Sequence, residues 1–144
     1  MDDERCRAER RHFPVATLRA KLVVTVAVTA TATAIAGCAS LQQPDVKRVA
    51  ATFMRSGAVD RCALLAPATV AALEHDESAP CGDALTQLDL PDGQVVSSAV
   101  WGDNAQVRST ADTLFLTRTE AGWKVAAAGC TPRSDAPYLC RLEA

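Results

Sequence analysis

Two kinds of hydrophobic repeat divide the chain after its first third. Between Asp45 and Gly57, apolar residues recur three or four positions apart, which is typical of the buried face of an amphipathic helix. Beyond Gly93, apolar and polar residues alternate instead, and this period of two indicates β-strands. The pattern therefore predicts helices first and a sheet afterwards, the arrangement of an α+β domain.

The helical part of the pattern is divided into several predicted segments. Asp45 is suited to cap the first helix, and Asp60 to cap a second that Pro67 interrupts or restarts. A polar loop is expected over 75–80, followed by a short helical turn over 82–88.

The alternating part predicts four strands joined by short turns. The predicted strands are 94–101, 105–110, 112–119 and 123–129. Gly102-Asp103-Asn104 and Glu120-Ala121-Gly122 have the length and chemistry of hairpin turns. We therefore expect a curved antiparallel four-stranded meander, cone-like in shape, with the helices packed on it.

An apolar stretch precedes all of these elements. The fifteen residues of 22–36 carry no charge and directly follow Arg19 and Lys21, a basic region before an apolar one, as in export signals. A membrane-spanning helix needs roughly 20 predominantly apolar residues. Because this stretch is shorter and contains four threonines, residues 1–37 are predicted to be a signal peptide with an N-terminal signal helix.

The end of that stretch matches the lipobox of bacterial lipoproteins. Ile35, Ala36, Gly37 and Cys38 supply a branched apolar residue, two small residues and a cysteine. Signal peptidase would cleave before Cys38, whose thiol would carry a diacylglyceryl group. Acylation of the new amino group would add a further chain, and more than one chain makes anchoring stable. The alternative is an ordinary secretory peptide with a coincidental cysteine.

Two interpretations remain open for residues 1–19. Arg10-Arg11-His12-Phe13 contains part of the twin-arginine export pattern, although Pro14 and Val15 stand where leucine and lysine usually follow. The favoured alternative is a translation start further down, for example at Val15. Cys6 is discarded under both interpretations. The mature protein would consist of a polar tether over 38–44 and a domain over 45–144.

Charge changes sign at the predicted cleavage point. Residues 1–37 contain six basic and four acidic side chains, whereas the rest contains nine basic and thirteen acidic ones. A protein that binds nucleic acid needs a basic face to neutralise phosphates, and the mature part has no cluster of lysine or arginine. The expected partners are therefore the membrane, through the lipid on Cys38, and an envelope protein, with no nucleic acid.

Four cysteines remain in the predicted domain, and an even number of cysteines in an oxidising compartment indicates disulfide bonds. They are Cys62, Cys81, Cys130 and Cys140. Four cysteines allow three disulfide connectivities. We favour the two local pairs, Cys62 with Cys81 and Cys130 with Cys140, because each would close a segment rich in turn residues. A zinc or thioredoxin-type site is the alternative, but the short Cys-x-x-Cys spacing that such sites use is missing from the sequence.

Few residues in the predicted domain offer catalytic chemistry. His75 is its single histidine, and it lies among Glu74, Asp76 and Glu77 in the predicted polar loop, where a solvated side chain is expected. The aromatic residues Phe53, Trp101 and Trp123, together with Phe115, either line a ligand cavity or fill the core. The sequence therefore predicts no enzyme, no metal and no cofactor.

The order of elements, with Trp123 opening the last strand in Gly122-Trp123-Lys124-Val125, resembles the nuclear-transport-factor-like (SnoaL-like) fold. The run from Gly122 to Pro132, continued by Pro137-Tyr138-Leu139-Cys140, is similar to the C-terminal signature of small actinobacterial lipoproteins. The resemblance covers about 45–142 and implies a cone-shaped α+β fold on the outer face of the membrane, without a known activity. Some enzymes of this fold pair an aspartate with a tyrosine in the cavity, but Tyr138 is the single tyrosine here and no such pair can be matched.

The first functional hypothesis is a non-enzymatic accessory lipoprotein that binds an envelope partner on the extracytoplasmic face of the cell membrane. The second is a carrier or sensor that takes a small apolar ligand into a cavity lined by Phe53, Trp101 and Trp123. The third is an enzyme, which would need a buried carboxylate with a raised pKa in that cavity.

Overall fold

Helices come first and strands afterwards in the structure, a computed structural model that describes residues 37–134 and 138–144. The helices are α1 (Gly37–Arg55), α2 (Ala58–Cys62), α3 (Pro67–Glu77) and α4 (Cys81–Gln87). The strands are β1 (Val95–Trp101), β2 (Asn104–Ser109), β3 (Thr113–Thr119) and β4 (Gly122–Cys130). The predicted α+β class with a four-stranded antiparallel sheet is thereby confirmed. The predicted signal helix lies outside the described residues.

α1 is longer than the sequence predicts. It begins at Gly37 instead of Asp45, so the segment 38–44, predicted as a polar tether, is helical. Pro44 lies inside the helix, where it removes a backbone N–H but keeps a φ angle that helices use. Gln42 and Gln43 favour helix intrinsically, and Gln43 Nε2 donates a hydrogen bond of 3.4 Å to the carbonyl of Ser98 in β1. This contact ties the extra turns to the sheet.

The buried face of α1 follows the predicted spacing. Its members are Val46, Val49, Ala50, Phe53 and Met54. All five are buried and belong to the core that lies between the helices and the sheet. The contacts group Ala39–Ala144 into one compact unit.

The three shorter helices differ from the prediction mainly at their ends. Asp60 lies in the first turn of α2, and the N-cap residue is Gly57, so the predicted cap is wrong. Pro67 is the first residue of α3, a position where its missing N–H has no helical partner to lose. α3 continues to Glu77 and ends at Ser78, whose φ of 51° is left-handed. Residues 75–77 are therefore helical and do not form the predicted loop.

The sheet is a meander in the order β1-β2-β3-β4, with every neighbouring pair antiparallel. Trp101 pairs with Asn104, which leaves Gly102, with φ +59°, and Asp103 as the first hairpin turn. The β3–β4 hairpin turns at Glu120 and Ala121, directly before Gly122. Both turns lie where the sequence predicts them.

The alternation of buried and more exposed residues along β2 and β3 shows which side chains lie on each face of the sheet. Ala105 and Val107 in β2, together with Leu114 and Leu116 in β3, have at most 1% of their surface exposed and face the helices. Since successive side chains of a strand point to opposite faces, Gln106 and the residues opposite it belong to the outer face. The core thus lies between α1, α3, α4 and one side of the sheet.

The two edges of the sheet differ in how far other segments cover them. At the β4 edge, Leu65 forms a parallel bridge with Val125, in which Ala66 N–H donates to the Val125 carbonyl and Val125 N–H donates to the Leu64 carbonyl, each at 2.8 Å. The C-terminal segment covers the same edge through the Ala128–Leu142 and Thr131–Leu139 bridges. At β1, the hydrogen bond from Gln43 to Ser98 is the contact described above. β1 is therefore the edge strand that other elements cover least within the described residues.

Both local cysteine pairs are within disulfide-bonding distance. Cys62 joins α2 to Cys81 at the start of α4, with an S–S distance of 2.03 Å. Cys130 joins the end of β4 to Cys140 in the C-terminal segment, with an S–S distance of 2.09 Å. One disulfide therefore fastens the helical layer, and the other fastens the covered edge of the sheet.

Candidate functional site

A row of side chains crosses the outer face of the sheet from β1 to β4. The register places Ala99 opposite Gln106, Gln106 opposite Phe115, and Phe115 opposite Ala127. These residues share a face because cross-strand partners project to the same side. The outer face thus carries apolar and amide groups at its centre.

The C-terminal segment folds over the β4 end of this row and forms a groove. The groove has a volume of about 370 Å³. Its lining residues are Phe115, Ala126, Ala127, Tyr138, Cys140, Glu143 and Ala144. The lining is mostly apolar, and Glu143 is the one charged side chain in it. The open groove can therefore contact an apolar group of a bound molecule on one side and form hydrogen bonds with that molecule through Tyr138 and Glu143.

Two contacts hold Tyr138 in place over the sheet. Its ring meets that of Phe115 edge to face, with centroids 5.0 Å apart and an interplanar angle of 77°. Gln106 Nε2 donates a hydrogen bond of 2.8 Å to Tyr138 Oη. Together with the Cys130–Cys140 disulfide, these contacts fix the wall of the groove.

Replacing Tyr138 with phenylalanine is expected to lower the free energy of unfolding by about 1 kcal/mol. The change removes the hydroxyl that accepts from Gln106 and keeps the ring that packs on Phe115. Chemical denaturation measures the loss. Gln106→Ala and the double variant complete a cycle, in which the double variant should cost little more than either single one. Strictly additive losses would show that the hydrogen bond contributes nothing.

The predicted cavity of Phe53, Trp101 and Trp123 is wrong. Phe53 and Trp123 are 2% and 7% exposed and lie in the core, whereas Trp101 is 50% exposed at the first hairpin. Trp101 and Trp123 differ because Trp101 shares the outer-face parity of Ala99, while Trp123 shares the inner-face parity of Val125. Phe115, the fourth aromatic candidate, does line a groove, but with Tyr138 as its aromatic neighbour.

The lipobox lies at the border of the described residues. Ile35 and Ala36 are outside them, Gly37 is the first residue of α1, and Cys38 follows it in the helical backbone. Acylation of Cys38 therefore stays a prediction. The residues that follow this site are helical from the start and form no flexible spacer.

The acidic run around His75 is a solvated helix end. His75 Nδ1 lies 3.1 Å from Asp76 Oδ1, and both side chains are more than two-thirds exposed. Glu74 Oε1 accepts a hydrogen bond of 3.0 Å from the backbone N–H of Cys81, which places it at the start of α4. Within 37–134 and 138–144, no three His, Cys, Asp or Glu residues are arranged to hold a metal ion.

The sequence did not predict that Gln106 would hydrogen-bond to Tyr138, or that Tyr138 would line the groove. Gln106 occupies a polar position of an alternating strand, and nothing local distinguishes it from a solvated residue. The signal was the disulfide prediction, since closing Cys130 to Cys140 forces the segment that contains Tyr138 back toward β4.

Comparison with known proteins gives one finding: no protein-family model, curated protein or solved structure matches this chain significantly. Among the helices of the described residues, none has the length and apolar character needed to cross a membrane.

Proposed function

We propose that this protein is a lipid-anchored accessory protein of the bacterial envelope, held on the extracytoplasmic face of the cell membrane through Cys38. The observation that carries the proposal is the lipobox Ile35 to Cys38, placed after an uncharged stretch and directly before a disulfide-fastened domain. Disulfides persist in oxidising compartments and are rare in the cytosol. The two cysteine pairs therefore support export independently of the lipobox.

The proposed role of the domain is to bind an envelope partner without catalysing a reaction. The groove on the outer face supports this role, because its lining is mostly apolar and includes the charged Glu143. Apolar grooves with a few polar groups are the common form of binding sites. Partner binding, the absence of catalysis and the lack of a cofactor are all part of this proposal.

The finer description of the fold, a SnoaL-like cone, belongs to the same proposal. Register shifts between β3 and β4, at Thr113/Phe115 and at Phe115/Leu116, support a curved sheet. Such bulges bend a strand and increase its twist. Helices lie against one face of the sheet, as the cone requires.

A carrier of a small apolar ligand is the second candidate, now located in the groove instead of among Phe53, Trp101 and Trp123. The volume of about 370 Å³ and the apolar lining favour it. That volume lies within the range of small-molecule sites, roughly 300–1,000 Å³.

The test is the intact mass of protein extracted from membranes of a bacterial host that processes lipoproteins. We expect a species that begins at Cys38 and carries diacylglyceryl and further acyl mass. Cys38→Ser should abolish acylation, because a serine hydroxyl does not replace the thiol. Cys6→Ser is the matched control and should leave the mass unchanged, since Cys6 lies in the discarded part.

A species that retains the residues before Cys38, or that lacks lipid, would contradict the proposal. Native mass spectrometry of the same preparation separates the two candidate roles. A small molecule that remains bound to the folded domain would favour the carrier, whereas bound protein would favour the accessory role.

A further inference from the structure

Exposed apolar side chains concentrate around one contact between α1 and β1. Within the described residues, five large hydrophobic side chains are exposed: Leu41, Val59, Val96, Trp101 and Leu139. Three of them, Leu41, Val96 and Trp101, lie within three residues of either Gln43 or Ser98, which are joined by the hydrogen bond from Gln43 Nε2 to the Ser98 carbonyl. Three of the five exposed side chains are therefore close in sequence to the contact between α1 and β1.

The predicted acylation site directly precedes this part of the chain in sequence. Ala39, the residue after Cys38, is already in α1. With a rise of about 1.5 Å per residue, Ala39 lies roughly 6 Å along the helix from Gln43. Val96 and Trp101 are two and three residues from Ser98, about 7 and 10 Å along an extended strand. Because no flexible spacer intervenes, acyl chains on Cys38 would hold this region close to the bilayer surface.

The chemistry of β1 suits the headgroup layer of a membrane. The strand reads Val-Val-Ser-Ser-Ala-Val-Trp and carries no charged side chain. Trp101, half exposed, is of the residue type that concentrates at membrane–water interfaces, since its ring is apolar and its N–H is polar. β1 is also the less covered edge of the sheet, and its outward backbone groups need partners that the hydrated headgroup layer supplies and the hydrocarbon core does not.

Two buried polar atoms beside this contact have no hydrogen-bond partner in the part of the chain that the structure describes. Gln42 Oε1 and Ser98 Oγ are buried and have no hydrogen-bond partner within the described residues. They flank the bond between Gln43 and Ser98. Unpaired polar atoms of this kind cost free energy when they are buried, so the polar groups at the contact between α1 and β1 are not fully satisfied.

We propose that Leu41, Val96 and Trp101, around the Gln43–Ser98 contact, form a membrane-apposed surface that rests on the outer leaflet beside the lipid anchor. This inference rests on the proposed acylation of Cys38 and adds the orientation of the domain to it. The groove lined by Phe115 and Tyr138 lies at the opposite edge of the sheet, at β4, and so stays accessible from the side away from β1.

Tryptophan fluorescence tests the proposal on the acylated protein. The protein is placed in vesicles of phosphatidylethanolamine and phosphatidylglycerol, some containing lipids brominated near the headgroup end of the chains. Trp101→Phe leaves Trp123, which is 7% exposed, and gives the baseline. We expect bromolipid to quench the Trp101 signal about twofold, because a ring at the interface lies within reach of the bromine atoms.

Two matched substitutions then locate the surface. Val96→Asp puts a charge into it, whereas Val59→Asp makes the same change at a residue of similar exposure, 77% against 65%, on α2. α2 lies at the far end of α1, since Arg61 binds the carbonyls of Phe53 and Met54 there. We expect Val96→Asp to restore most of the quenched fluorescence and Val59→Asp to leave the quenching as it is.

The outcomes separate this inference from the proposed function. Acylated protein whose Trp101 is not quenched, or whose quenching responds equally to both aspartates, overturns the membrane-apposed surface and leaves the anchor standing. A doubled mass in solution with unquenched Trp101 would assign β1 to contacts between copies, which also overturns it. A mass spectrum without acylation at Cys38 overturns both proposals.

Discussion

Replacing Arg61 with alanine is expected to lower the free energy of unfolding by about 3 kcal/mol. Arg61 is 9% exposed, and its guanidinium donates to the carbonyls of Phe53 at 2.9 Å, Met54 at 3.0 Å and Leu90 at 3.4 Å. Nη2 also pairs with Asp92 at 2.8 Å, and the charge lies 5.3 Å from the centre of the Phe53 ring.

The magnitude follows from what alanine leaves behind. The carbonyls of Phe53 and Met54 belong to the last turn of α1, where a helix provides no partner four residues on. Without Arg61, these buried acceptors lose charge-assisted hydrogen bonds, each of which contributes roughly 1.5–3 kcal/mol. Asp92 adds little to the loss, because its side chain is 85% exposed and returns to water.

Arg48→Ala is the matched control. Arg48 pairs with Asp45 at 2.8 Å, three residues away, but both side chains are more than half exposed. Its removal should change the free energy of unfolding by no more than about 0.5 kcal/mol. Arg61→Lys should fall between the two, since lysine keeps the charge but lacks the planar fork of donors. Equal urea midpoints for Arg61→Ala and Arg48→Ala would mean that the buried network does not stabilise the fold.

The sheet could be predicted almost completely from the sequence. Alternation over 94–129 is a local signal, and Gly102 and Gly122 mark turns because their φ values of +59° and +96° suit residues without a side chain. The strand ends differ from the prediction by about one residue. A short meander can be predicted from such local signals, since each strand pairs with its neighbour in sequence.

Helix ends were harder to predict because contacts between elements decide them. Nothing within 39–44 indicates that Gln43 will meet Ser98, more than fifty residues away, and the polar composition is equally typical of a tether. The end of α3 is similar: Glu74 continues the helix and also caps α4 through Cys81, a contact that depends on the disulfide-closed loop.

The same distinction between local sequence signals and contacts between distant elements applies to the candidate site. The cysteine pairing was predictable because short separations of 19 and 10 residues favour local closure. The groove was not, since it needs the C-terminal segment to return to β4 and cover Phe115. Arg61 escaped notice for a related reason: an arginine beside an aspartate in the predicted second helix resembles a solvated pair, and its burial depends on the end of α1.

Reducing both disulfides is expected to lower the free energy of unfolding by about 6 kcal/mol, roughly 3 kcal/mol for each loop in the chain-entropy treatment. Domains of this size are stable by only about 5–15 kcal/mol. Alanine also occupies several of the most buried positions of the core. The reduced protein should therefore unfold at a much lower urea concentration at neutral pH, which circular dichroism during urea titration with and without reductant measures.

Serine pairs separate the contributions of the two bonds. Cys62→Ser with Cys81→Ser loosens α2 from α4, which pack on each other in the helical layer, so the whole domain should lose about 3 kcal/mol cooperatively. Cys130→Ser with Cys140→Ser removes the bond that closes the shorter loop and frees the segment that carries Tyr138, so the wall of the groove should open before the core does. Solvent exposure of Tyr138 reports that local step.

A reduced protein with an unchanged urea midpoint would contradict the expectation, and it would mean that the helices and sheet suffice alone. If the first serine pair unfolds the domain and the second mainly exposes Tyr138, the two bonds have separate tasks. The Cys62–Cys81 bond then compensates for a thin core, while the Cys130–Cys140 bond maintains a binding groove at the edge of the sheet. Stability and the proposed function would thus depend on different disulfides of the same small domain.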